Sequence, residues 1–144
     1  STFSSSKRRL MIKIQKNSFN IEEEINSIKS KHSNIGAVST FIGYVRDINN
    51  NQNVTSINIE VYKEMALKTL GNICENAKKK WSLIDFLVIH RFGELQLNDK
   101  IVLVATFSIH RKKSYLSCNY IMDFLKKDAP FWKKEYYNED YKWL

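Results

Sequence analysis

Hydrophobic and polar residues alternate with different periods along the chain, and each period predicts one kind of element. Ile57, Ile59 and Val61 alternate with polar neighbours, which is the period of a half-buried strand. Beyond this strand the apolar residues recur every three or four positions, as on a helix that faces a core; they are Ala66, Leu70, Ile73, Ala77 and Trp81. The region therefore predicts a strand followed by a long amphipathic helix.

The rest of the chain shows the same succession of strand and helix patterns. Strands are predicted at residues 11–15, 37–45, 83–90 and 101–107, with a strand edge or turn at 91–95. The segment 101–107 is the most β-branched and is predicted to be a central strand. Helices are predicted from Ile21 to about residue 31, capped by Asn20, and at residues 114–127, where Pro130 ends the helix. The polar stretch 47–53 is predicted to be an exposed loop. We expect an α+β fold with a mixed or antiparallel sheet and two long helices.

Composition favours one ordered globular domain. Of the 144 residues 43% are hydrophobic, with 4 Gly and 1 Pro. We predict a single domain at residues 11–144, preceded by a Ser-rich, basic segment at residues 1–10. That segment is interpreted as a disordered extension, either a cloning remnant or a targeting segment. No apolar run reaches the roughly 20 residues that a membrane span needs, so no membrane partner is expected.

Cysteine usage and known motifs restrict the chemistry. Cys74 and Cys118 lie far apart and have no metal-ligand spacing, so neither a disulfide framework nor a zinc site is predicted. A reducing, cytoplasmic compartment is expected. The sequence has no Ser/His/Asp order, Gly-rich phosphate loop or His-Glu-x-x-His motif. We therefore expect a site without a metal or a cofactor.

The formal charge of +8 raises the question of an anionic partner. A basic balance is typical of proteins that bind nucleic acid, anionic small molecules or acidic proteins, but also of lysine-rich solvated surfaces. The three lysines at residues 78–80 follow a helical stripe and are interpreted as a solvated helix end. Since no nucleic-acid-binding motif accompanies the charge, no nucleic-acid partner is predicted. A basic binding module remains the alternative function.

The run KKDAPFWKKEYY at residues 126–137 has the strongest chemical pattern in the chain. It places Lys126 at the end of a helix. Beyond a proline, Lys133 and Glu135 alternate on a short extended segment and so share one face, and two aromatic residues lie between Lys126 and Lys133. A lysine partly removed from water can act as a base, an acid or a nucleophile. The structural alternatives are a surface lysine at a helix C terminus, where a cation meets the dipole favourably, and an exposed ion pair.

Three further basic residues are candidates for anion binding. Arg46 follows a strand and can fork onto a phosphate or carboxylate, although strand-end arginines also point into solvent. His110 and Arg111 lie between a buried strand and a helix start, where backbone amides add to the positive potential. A capping or solvated pair is the alternative. His90 is interpreted as structural.

Six segments together resemble the large, catalytic subunit of molybdopterin synthase. They are GAVSTFIGYVR at residues 36–46, EVYKEM at 60–65, Trp81, HRFGEL at 90–95, SIHR at 108–111 and the run at 126–135. They occur in the order of the family and cover the chain from residue 36 to residue 143. The most distinctive piece is Lys-x-x-Ala-Pro-Phe-Trp-Lys-x-Glu.

The resemblance implies an α/β hammerhead fold and a homodimer that binds a small ubiquitin-like sulfur-carrier subunit at each end, as a heterotetramer. Sulfur would pass from the carrier's C-terminal thiocarboxylate to cyclic pyranopterin monophosphate, creating the dithiolene of molybdopterin. Lys126 and Lys133 are the implied catalytic residues. The implied substrate-binding residues are Tyr44, Val45, Arg46, His110, Arg111, Lys126, Lys133, Lys134 and Glu135. Phe41 and Met122 match pocket-lining positions, and His110 and Arg111 would come from the neighbouring protomer.

The chain departs from the family pattern at two places. Tyr44 stands where many relatives carry a basic residue, and relatives often continue beyond the position of Leu144. Both departures concern accessory substrate contacts. A scaffold of the same fold that binds the carrier without catalysis is a second alternative, against which the presence of Arg46, Lys126 and Lys133 together argues.

Overall fold

The computed structural model describes residues 11–49, 52–137 and 140–144; the segment 1–10, predicted to be an extension, lies outside these residues. The described residues form three helices, α1 (Ile21–Lys29), α2 (Lys63–Trp81) and α3 (Arg111–Lys127). The strands are β1 (Ile12–Gln15), β2 (Ala37–Tyr44), β3 (Ile48–Asn49), β4 (Gln52–Asn53), β5 (Ser56–Val61), β6 (Asp85–Arg91), β7 (Gly93–Gln96), β8 (Lys100–Ser108), β9 (Phe131–Tyr137) and β10 (Asp140–Trp143). The predicted α+β class is confirmed.

The first sheet has four strands in the order β1-β6-β8-β2, with β1 parallel to β6 and the other pairs antiparallel. The β-branched strand predicted to be central, β8, is indeed internal. Every residue of β6 is buried, and so are all but the first of β8, because helices cover both faces. Leu87, Ile89 and Leu103 pack with Phe19 and Ile28 on the α1 side. The opposite face packs against α2 and α3.

The second sheet is antiparallel, in the order β10-β9-β5-β7. Its inner residues join the α2–α3 core, where Ile57, Ile59 and Leu95 are buried. The alternation of Ile57 and Ile59 with polar neighbours is thus confirmed as a half-buried strand. A short third sheet pairs β3 with β4.

The helix ends follow local sequence. Asn20 caps α1 as predicted, since its side chain accepts a hydrogen bond of 2.9 Å from the Glu23 N–H. Helix α3 begins at Arg111, three residues before the prediction, because its first turn is polar and its apolar stripe starts only later. At the other end the Pro130 ring stops α3, and β9 starts at the next residue. None of the helices in the described residues is long and apolar enough to cross a membrane.

Two predictions were wrong in detail. Residues 47–53 were expected to form a loop, but the short strands β3 and β4 pair there. The strand β10 was not predicted at all. The segment 47–53 shows no apolar alternation, and the four residues of β10 are too few to establish a strand period.

Candidate active site

An open cavity of about 590 Å³ lies where the two main sheets meet the C-terminal end of α3. Strands β2, β6 and β8 of the first sheet, β9 of the second and the last turn of α3 contribute lining residues. The chain builds one wall by reversing at Pro130, so that both ends of the 126–133 run face the same space. Lys126 and Lys133 both line this cavity.

A smaller cavity of about 190 Å³ adjoins the first. Arg46, Val45 and Glu135 line it, and Lys133 lines both cavities. Tyr44, Ile101 and Leu144 are also common to the two. The two spaces therefore form one continuous groove with Lys133 at their junction.

Lys133 is the cation of the groove that is most withdrawn from water. Burial lowers the pKa of its amine, and the nearby charge of Glu135 opposes that shift. Glu135 is itself buried and accepts a hydrogen bond from the Tyr137 hydroxyl. The two side chains share the inner face of β9, as their alternation predicted. They are not the exposed ion pair that was the structural alternative.

Lys126 lies at the rim of the larger cavity. It is in the last turn of α3, and its side chain is exposed. Phe41 on β2 and Met122 on α3 line the same cavity, as the resemblance implied. The exposed Lys126 lies at the open rim of the groove, whereas the half-buried Lys133 lies in a part of the groove that is less accessible to water.

Residues at the end of β2 and just after it line the smaller cavity. A register irregularity between Gly43 and Tyr44 ends the pairing with β8. The Val45 N–H then donates to the Asp99 carbonyl at 2.9 Å, and the Val45 side chain is buried. Tyr44 and Arg46 are exposed on either side of it and both line the smaller cavity. Val45 therefore lines the cavity from the core, whereas Tyr44 and Arg46 reach it from the surface.

Three predicted binding residues do not line either cavity of this single chain. His110 and Arg111 are exposed at the start of α3, about 24 Å along the helix axis from Lys126 at 1.5 Å per residue. Lys134 lies on the outer face of β9, with its ammonium 4.0 Å from the ring centroid of Tyr141 and 4.8 Å from that of Trp143. The first two were expected from a neighbouring protomer, whereas Lys134 was not.

His90 lines the larger cavity, although the sequence did not single it out as functional. It is 5% exposed and stacks on Phe131 with ring centroids 3.8 Å apart. Burial lowers its pKa to about 4, so the ring is neutral at pH 7. The sequence carried a weak signal, a histidine at the end of a buried strand, but no pattern linked it to the distant residue 131.

The described residues contain no group of three or more His, Cys, Asp and Glu side chains that could hold a metal ion. Cys74 and Cys118 are buried and unbonded to each other. Burial raises the pKa of both thiols, that of Cys118 to about 11, which makes them poor nucleophiles. The ionisable side chains that line the groove are lysine amines, one guanidinium, one carboxylate, the Tyr44 phenol and the His90 imidazole.

Comparison with known proteins agrees with this geometry. The family model of the MoaE protein matches residues 14–128. The molybdopterin synthase catalytic subunit of Ralstonia nicotianae is 45% identical over 92% of this chain and 76% of its own length.

Two solved structures have the same fold. The crystal structure of molybdopterin synthase from Staphylococcus aureus aligns with a TM-score of 0.86 and 30% identity, covering 94% of this chain and 96% of that one. A complex of subunits 1 and 2 of the molybdopterin-converting factor of Helicobacter pylori aligns at 0.78 with 18% identity, covering 92% of this chain and 88% of that one, which shows likeness of fold. By its sequence and its architecture, this chain belongs to the MoaE family.

Proposed function

We propose that this chain is the catalytic subunit of a molybdopterin synthase, which moves sulfur from the C-terminal thiocarboxylate of a small ubiquitin-like carrier to cyclic pyranopterin monophosphate. The observation that carries the proposal is the continuous groove with Lys126, Lys133 and Arg46 along it. Both reactants are anionic, one through its phosphate and the other through its thiocarboxylate. Cations at several points along one groove suit that pair of ligands.

The two cavities of the groove suit different parts of the two reactants. The larger cavity, about 590 Å³, has the size of a small-molecule site and is lined by Phe41, Met122 and Phe131 beside its lysines. An aromatic and apolar lining suits a flat pterin. The guanidinium of Arg46 at the smaller cavity can donate two parallel hydrogen bonds to phosphate or carboxylate oxygens. Tyr44 and Val45 border the same space, and the carboxylate of Glu135 balances the charge of Lys133.

The sulfur transfer requires one bond to form and another to break. The thiocarboxylate sulfur attacks a pterin carbon and forms a C–S bond, while the C–O bond on that carbon breaks. The oxygen leaves as water or, where the cyclic phosphate ester is displaced, stays on the phosphate. A second water then cleaves the bond between sulfur and the carrier's acyl carbon, which leaves the sulfur on the pterin and a carboxylate on the carrier. Two such transfers give the dithiolene.

The two lysines have different tasks in these steps. Lys126, at the exposed rim, exchanges protons with solvent and transfers one to the departing oxygen. Lys133, in the drier interior, stabilises the negative charge that develops as the acyl carbon is attacked, because an ammonium acts more strongly where water is excluded.

The proposed assembly is a homodimer with a carrier bound at each end. Its support is the membership of the MoaE family and the resemblance to proteins described as a synthase and as a complex of two subunits. In a dimer the exposed His110 and Arg111 of one protomer are available to the groove of the other. The expected cytoplasmic location stays a prediction, with the two unpaired cysteines as its support.

A basic binding module for nucleic acid or an acidic protein is the alternative. It would use the lysines at residues 78–80, of which the last lies 4.8 Å from the Trp81 ring. That function predicts binding that weakens steeply with salt and depends on these lysines as much as on Lys126. No observation in the groove favours it.

The deciding experiment mixes the purified protein with thiocarboxylated carrier and the cyclic pterin and measures dithiolene formation. We expect Lys126→Ala to lower the rate by about a hundredfold or more, as loss of a proton-transfer group does, while the carrier still binds. Lys79→Ala, an exposed lysine on α2, is the matched control and should retain the wild-type rate. Near-normal turnover of Lys126→Ala would remove the proposed role of Lys126, and absence of product with the wild-type protein would overturn the function.

A further inference from the structure

His90 is a buried titratable side chain at the cavity that the sulfur-transfer scheme leaves unused. Its Nδ1 lies 2.8 Å from the carbonyl oxygen of Arg91. A carbonyl oxygen only accepts, so Nδ1 carries the proton and donates it. In the neutral ring this leaves Nε2 as a hydrogen-bond acceptor. The backbone of β6 therefore sets the tautomer of His90.

The ring of His90 also joins the two sheets. It stacks on Phe131 with an interplanar angle of 20° and a centroid distance of 3.8 Å. His90 belongs to β6 of the first sheet, whereas Phe131 is the first residue of β9 in the second. Lys133 follows Phe131 by two residues and so points to the same face of β9. The stack thus holds the start of the strand that carries the lysine.

Charge links the two side chains as well. Burial is the main cause of the lowered pKa of His90, and the charge of Lys133 lowers it further, against the opposing effect of the Arg91 carbonyl. The other titratable groups that line this cavity are Tyr44 from β2 and Lys126 and Lys127 from α3. None of these three groups is a carboxylate, so none of them stabilises a protonated His90 ring. His90 adds no second cation beside Lys133 at pH 7.

We propose that His90 is a positioning residue for Lys133: its uncharged ring, held by the Arg91 carbonyl and stacked on Phe131, sets the place of the Lys133 amine in the cavity and offers it a hydrogen-bond acceptor. The inference rests on the assignment of Lys133 to sulfur transfer. A phenylalanine at this position keeps an aromatic stack but provides neither nitrogen, which makes His90→Phe the informative variant.

The first test measures the ring pKa of His90 by NMR and needs no substrate. Removing the charge of Lys133 with Lys133→Met should raise this pKa by about one unit. Lys134→Met is the matched control, since it removes a lysine from the other face of the same strand, and should leave the pKa of His90 unchanged. Equal shifts in the two variants, or no shift in Lys133→Met, would overturn the proposal.

The second test is a double-mutant cycle on the single-turnover rate of sulfur transfer. We expect His90→Phe to lower the rate about tenfold or more in the wild-type background, while the dissociation constant of the carrier changes less than about twofold. In the Lys133→Met background the same substitution should add less than about a twofold loss. An equal factor in both backgrounds would make His90 a purely structural residue.

A second variant and the ring titration cover the cases in which His90→Phe does not fold or the protein makes no product. If His90→Phe fails to fold, His90→Asn carries the same cycle, because its amide N–H can still donate to the Arg91 carbonyl. If the wild-type protein makes no product, the proposed function fails, whereas the ring titration still decides whether His90 and Lys133 are coupled.

Discussion

Lys133 and Lys134 are adjacent in the chain, yet β9 turns their side chains to opposite faces of one sheet. Lys133 points into the groove, where burial lowers its pKa and Glu135 lies beside it. Lys134 points outward and lies over the rings of Tyr141 and Trp143 on β10. Lys133 is thus partly desolvated at the groove, whereas Lys134 makes cation–π contacts with the edge strand β10. Two identical side chains thus acquire different surroundings, because the strand alternates and only one face of its sheet borders the groove.

The largest expected effect separates the two lysines by activity. Lys133→Met should lower the rate of sulfur transfer by about a hundredfold or more, because it removes an ammonium that stabilises developing charge in a water-poor site. Lys134→Met should change the rate less than about threefold, since its side chain lies outside both cavities. Single-turnover kinetics measures both. A comparable loss in Lys134→Met would return Lys134 to the substrate-binding residues that the sequence predicted.

The next effect is on the free energy of unfolding and concerns His90, which packs against the inner face of β9. The unfolded chain protonates His90 near its ordinary pKa of 6.5, whereas the folded protein does so only near 4. The unfolded state therefore binds more protons between these values, and this contribution to the free energy of unfolding is lost as pH falls from 6.5 to 4, by on the order of 3 kcal/mol. Urea unfolding at several pH values measures it.

His90→Phe provides the control for this pH dependence. The variant has no group at position 90 that titrates in the interval, so its stability should fall less than that of the wild type between pH 6.5 and 4. Parallel curves for the two proteins would show that His90 is not the buried base.

A smaller effect tests the carboxylate on the inner face. The charge of Glu135 raises the pKa of Lys133 against the effect of burial. Glu135→Gln removes that charge, so the pKa of Lys133 should fall and the alkaline limb of the transfer rate should move to lower pH. Glu60→Gln, an exposed carboxylate on the neighbouring strand β5, is the control and should leave the limb in place. If the alkaline limb moves in neither variant, the charge of Glu135 does not act on the pKa of Lys133.

The smallest effect lies on the outer face. Lys134→Ala removes the cation from the Tyr141 and Trp143 rings and should lower the free energy of unfolding by about 0.5–1 kcal/mol, as exposed cation–π contacts do. Lys142→Ala, an exposed lysine on β10, should change it by less than about 0.5 kcal/mol. Urea unfolding at pH 7 compares the two. Equal losses would mean that the rings gain nothing from Lys134.

Local patterns were strong predictors wherever an element buries a regular face. The stripe from Ala66 to Trp81 became α2, and Asn20 became a cap, because helix period and capping depend on neighbours within a few residues. The shared face of Lys133 and Glu135 also followed from strand period. The edge strand β10 was missed because it has only four residues, and two alternating aromatic residues are too few to establish a strand period.

The sequence by itself determined the residue types, the α+β succession of elements and the family, since these depend on short-range periodicity and on segments kept in order. Only the tertiary structure decided which cations meet. It brought Arg46, Lys126 and Lys133 to one groove, left Lys134 on the outer face, and placed His90 against Phe131 across two sheets. The physical reason is that burial and pKa depend on contacts between strands far apart in the chain, and such contacts leave no local pattern.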